Sequence, residues 1–79
     1  MTRVISVMPA DRGWMVSSEA FDNPMVFLSG AKAEQAARRL GAKLAGDGQR
    51  AEVHIFLRDG SLAGQVVCAP SFREIAPAA

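Results

Sequence analysis

Glu52 and His54 come closest to a catalytic pair in this chain, which holds a single histidine. Two positions apart, they share one face if the segment is a strand. A carboxylate beside an imidazole can orient it as a general base. Cross-strand register sets Gln65 opposite His54, and no Ser, Cys or Thr nucleophile falls beside the pair. A polar strip on a sheet face is the simpler reading. Cys68 is the only cysteine. Its register turns it toward the covered side of the sheet, where a thiol behaves as a small hydrophobe. Arg38, Arg39 and Lys43, with Arg50 just beyond them, could meet nucleic-acid phosphates. Against that, Glu34 dilutes the charge and no aromatic is interleaved to stack bases. Gly46-Asp47-Gly48 follows a helix instead of preceding one, so it aims no helix N-terminal amides at an anion. No cofactor is expected.

Composition narrows the classes further. Seventy-nine residues make one domain, and a chain of that size buries only roughly 60–65% of the surface exposed when it is unfolded. With 49% apolar and 22% charged residues, the chain is globular. A lone cysteine forms no internal disulfide, and one Cys with one His makes no zinc site. Oligomerisation is the remaining common route to more buried area. A formal charge of +1, from nine basic and eight acidic residues, lacks the basic footprint of a nucleic-acid binder. The opening Met1 to Pro9 reads as a strand and not as a signal peptide. No apolar stretch approaches the ~18 residues of a membrane span. The expected location is the cytoplasm, with no membrane and no small-molecule substrate.

These side chains must be positioned by a few short elements. Arg3 to Met8 is rich in β-branched residues and predicts a strand. Pro9 to Gly13 predicts a turn, and Gly13 to Ser17 a returning strand with Trp14 and Val16 on one face. Phe21 to Pro24 is a second break, and Met25 to Leu28 either extends the sheet or leads into a helix. That helix spans Gly30 to Ala45. Ser29 is placed as its N-cap, Leu28 and Ala33 as a hydrophobic staple, and Gly46 as the left-handed stop. Ala33, Ala36, Ala37, Leu40 and Leu44 fall on one stripe, with Glu34 and Arg38 forming an i, i+4 pair on the outside.

Asp59-Gly60 between two alternating apolar runs predicts a two-residue type I′ hairpin. That register sets Leu57 opposite Leu62, Ile55 opposite Gly64 and Val53 opposite Val66, all on one face with Ala51 and Cys68. Glu52, His54, Phe56, Ala63, Gln65 and Val67 take the other face. Ser71 to Ala79 is expected to fray, leaving residues 1–70 as the folded domain.

The expected fold is therefore α+β, one amphipathic helix packed on a mainly antiparallel sheet of four to five strands in the order β-β-(β)-α-β-β. In Val4 to Met8, Gly13-Trp14-Met15-Val16, Ala33 to Leu40 and Arg58-Asp59-Gly60, the chain resembles a small bacterial family of uncharacterised domains. The resemblance spans about the first seventy residues and implies the same fold, with Trp14 as a core anchor. The segment after Pro70 departs from the pattern.

One helix covers one sheet face and leaves the other open. Phe56 and Val67 on the open face, beside His54, invite a protein partner. The expected function is a non-enzymatic interaction module, a homodimer or the partner of another protein. The alternative is a nucleic-acid accessory protein using Arg38, Arg39 and Lys43.

Overall fold

The computed structural model describes residues 2–69. Five strands and one helix follow the chain as β1 (Thr2–Ala10), β2 (Gly13–Ser18), β3 (Met25–Phe27), α1 (Gly30–Gly46), β4 (Arg50–Phe56) and β5 (Leu62–Cys68). The sheet runs in the order β3-β2-β1-β4-β5, an α+β fold with its helix on one side. Three pairings are antiparallel, whereas β1 and β4 run parallel at the centre. That parallel pair is possible because β2, β3 and α1 carry the chain back between them, the long connection such a pair requires. The expected fraying of residues 71–79 lies outside the described residues.

Pro9 belongs to β1 rather than to a turn. It pairs with Trp14, and Ala10 with Gly13, so only Asp11 and Arg12 form the loop. The ladder to β4 has already ended at the Val7–Ile55 pair, and a residue without an N–H is accommodated there. Gly13 is required at the start of β2: with φ of 154°, a Cβ there would stand 2.3 Å from the Phe27 carbonyl oxygen. The short Met25–Phe27 run does extend the sheet, as the edge strand beside β2.

Ser29 caps α1 as its type predicts, accepting from the amides of Ala31 at 3.1 Å and Lys32 at 3.3 Å. Other local expectations shift. Leu28 is 89% exposed and forms no staple. The helix start is instead placed by Trp14, whose indole would lie 2.9 Å from a Cβ at Gly30. The buried stripe centres on Ala33, Ala37 and Gly41, with Leu40 and Leu44 partly covered and Ala36 only half-buried. At Gly41 a Cβ would approach the Cys68 Sγ to 2.7 Å, so the missing side chain sets how near α1 comes to β5. The left-handed stop is Gly48, not Gly46. Asp47 is the C-cap, and the amides of Gly48 and Gln49 reach back to the carbonyls of Ala45 and Leu44, a Schellman arrangement.

The last hairpin also differs near its turn. Gly60 alone has positive φ, and its amide donates to the Leu57 carbonyl. Leu57 and Ser61 close a three-residue loop, a type I turn followed by a left-handed glycine in place of type I′. Asp59 selects this form by accepting from the Ser61 amide at 2.9 Å and the Ser61 hydroxyl at 2.6 Å, so its carboxylate is satisfied locally. Phe56, not Leu57, pairs with Leu62, and Ala63 is the extra residue of a bulge. Leu57 and Leu62 are consequently half-exposed instead of joining the core. Below the bulge the expected pairs hold, from Ile55–Gly64 through Val53–Val66 to Ala51–Cys68. Ile5, Val7, Val16, Ala33, Ala37 and Val53 form the core between sheet and helix.

Candidate functional site: the open face of the sheet

Residues one position away from the core strands' buried side chains point to the side without a helix. Three rows cross this face. Val26, Met15 and Met8 are successive partners across β3, β2 and β1. Phe56 lies one step beyond the last β1–β4 pair and extends that row, lining a groove with Met8, Leu57 and Arg58. The groove encloses about 460 Å³ between the two sheet-end turns. Next come Ser17, Ser6, His54 and Gln65, then Val4, Glu52 and Val67. The face is thus an apolar row beside a polar one, with Val67 47% exposed at the margin.

Glu52 organises the polar part. Its Oε1 lies 3.0 Å from the His54 Nε2 and accepts from the Gln65 Nε2 at 3.1 Å. Its Oε2 is 3.7 Å from the Arg50 guanidinium. The His54 ring meets Phe56 edge-on, with centroids 6.5 Å apart and planes at 68°, a favourable aromatic geometry. Glu52, His54, Phe56 and Gln65 are therefore mutually positioned by direct contacts or the hairpin ladder.

The pairing of β1 places one further residue on this face and overturns one expectation. Met15 is set on this face opposite Met8, since Trp14 and Val16 pack toward the helix. Ser6 stands abreast of His54 across the parallel pair, so a serine does lie beside the imidazole after all. Among the described residues no hydrogen bond joins the two, and the His54 Nε2 is held by Glu52. The signal for Ser6 was present in the alternation of β1, but pairing β1 with β4 is a non-local choice.

The remaining candidates are dispersed. The Cys68 thiol is half-buried against Gly41, on the helix side. Arg38 is clamped to Glu34 at 2.8 Å on the exposed flank of α1, where Arg39 and Lys43 are also exposed. Among the described residues no three His, Cys, Asp or Glu side chains gather as metal ligands. No described helix is long and apolar enough to cross a membrane. No protein-family model, curated protein or solved structure matches the chain. The open face is the site to which its geometry draws attention.

Proposed function

We propose that this chain is a non-enzymatic interaction module whose open sheet face takes a protein partner. The apolar row Val26–Met15–Met8–Phe56 is the observation that carries the reading. Methionines and an aromatic form an adaptable contact surface, and none of the four belongs to the core cluster. The bordering His54, Glu52 and Gln65 supply a polar margin of the kind that surrounds the centre of an interface. In this reading the hydrogen bonds that tie Glu52 to His54 and to Gln65 fix that margin in place. Phe56→Glu places a charge at the β4 end of the row, beside the groove, and should abolish partner capture while leaving the thermal transition in place. Capture undiminished in that variant would remove the open face as the site.

A second reading has the exposed Arg39 and Lys43, one helical turn apart, contact nucleic-acid phosphates. Arg38 is already spent on Glu34, which leaves fewer free cations for it. Such binding would weaken steeply with salt. Charge reversal at Arg39 and Lys43 should affect only this activity, and no mobility shift with DNA or RNA at low salt would dismiss it.

A further inference from the structure

We propose that β5 pairs antiparallel with β5 of a second copy, joining two five-stranded sheets into one of ten; this rests on the reading of the chain as an interaction module and names one partner. The two edges of the sheet differ in what they offer. On one side β3 is three residues long and follows Pro24 directly. On the other β5 runs for seven residues, Leu-Ala-Gly-Gln-Val-Val-Cys, without a charge or a proline. Edge strands are normally blunted by shortness, charge, proline or bulges. Here the bulge sits at the turn end, and Gly64 to Cys68 pair one-for-one with Ile55 to Ala51. Among the described residues no strand pairs with its outer edge, so the regular stretch presents a row of backbone N–H and C=O groups there.

The side chains of that stretch are self-complementary. Antiparallel pairing about a two-fold axis through Val66 sets it against the partner's Val66, with Gln65 facing the partner's Val67 and Gly64 the partner's Cys68. The period of two keeps helix-side residues with helix-side residues and open-face residues with open-face residues. Val66 packs against the core yet stays half-buried, while its neighbour Val53 is fully buried. A second Val66 would complete the core at this edge. No like charges meet across the axis. Strand pairing over five residues covers less than a standard interface of about 1,600 Å², so the dimer should be concentration-dependent.

Sedimentation equilibrium of the intact chain up to about 1 mM, the weak end of specific association, should show a monomer–dimer equilibrium. Adding both Gln65→Lys and Val67→Lys sets lysines opposite each other across the axis and should weaken dimerisation roughly tenfold or more. Glu52 lies within reach of both positions, so the folded monomer should survive. Oxidising a mixture of Gln65→Cys and Val67→Cys chains should yield a disulfide linking positions 65 and 67, mapped by mass spectrometry, and should do so even if the double-lysine variant unfolds. A monomer throughout the range, native-like dimerisation of the double-lysine variant, or a mixture without the 65–67 link would each overturn the proposal. Phe56→Glu separates it from the open-face reading, because the edge dimer should persist in that variant. Self-association lost with Phe56→Glu and kept with the two lysines would shift the contact to the face and overturn only the edge pairing.

Discussion

On β1, Ile5 and Val7 are buried to within 1% of their surface, while Ser6 and Met8, alternating with them, remain partly open. The same contrast runs across the sheet, with Val16 against Met15 on β2 and Val53 against His54 on β4. The covered side is closed by a helix that presents Ala33, Ala37 and Gly41, side chains small enough for close approach. The bare side has larger and more varied groups, with hydrogen bonds running along and across strands. One face is thus committed to stability. The other keeps apolar surface in reach of solvent beside satisfied polar groups, a combination suited to association.

The largest effects are expected on the covered side. Ile5→Ala empties a fully buried site and should cost about 2–5 kcal/mol, measured by chemical denaturation. A loss well under that range would mean that the helix does not seal this face. Ala37→Leu should overpack the same layer by about 1–3 kcal/mol, whereas Ala36→Leu, at a half-buried position, should cost less. Equal effects would contradict the observed rotation of α1. On the bare side, Phe56→Glu should change stability less than either Ile5→Ala or Ala37→Leu and act chiefly on partner capture.

The smallest effect belongs to neither face but to the turn that ends both. Hydrogen bonds from the Ser61 hydroxyl, and then its amide, hold the Asp59 carboxyl below its ordinary 3.8. A carboxyl depressed in the folded state stabilises it above the unfolded value, and that contribution disappears as pH falls through the folded one. An acid titration should therefore show native stability falling below about pH 3.8 by slightly more than in Asp59→Ala. Asp59 is fully exposed, so the difference should be small. Parallel acid curves would remove the role given to this carboxylate.

Much of the architecture was readable from local pattern. Ser29 as a cap, the alanine-rich stripe, the break at Phe21 to Pro24 and the Val53–Val66 register all follow from residue type and spacing. Misplacements cluster where two local solutions are close in energy. Asp59-Gly60 suits a type I′ turn, but hydrogen bonds from Ser61 to Asp59 favour the three-residue loop with Gly60 alone left-handed. Gly46 and Gly48 can each stop a helix, and the Schellman hydrogen bonds select the second. Leu28 was a reasonable staple, yet Trp14 over Gly30 already places the helix start.

The open face shows the same division. Alternation alone assigned Glu52, His54, Phe56, Gln65 and Val67 to one side, because the period of two is a property of a strand by itself. That Met8, Met15 and Ser6 join them depended on which strands lie side by side. Sequence separation hides that choice: β1 and β4 are distant in the chain, and their parallel pairing is fixed by burying Ile5, Val7 and Val53 beneath one helix. Local chemistry thus determined the elements and the two sides of each strand. Burial of a shared core decided the strand order, and with it the composition of the face left open.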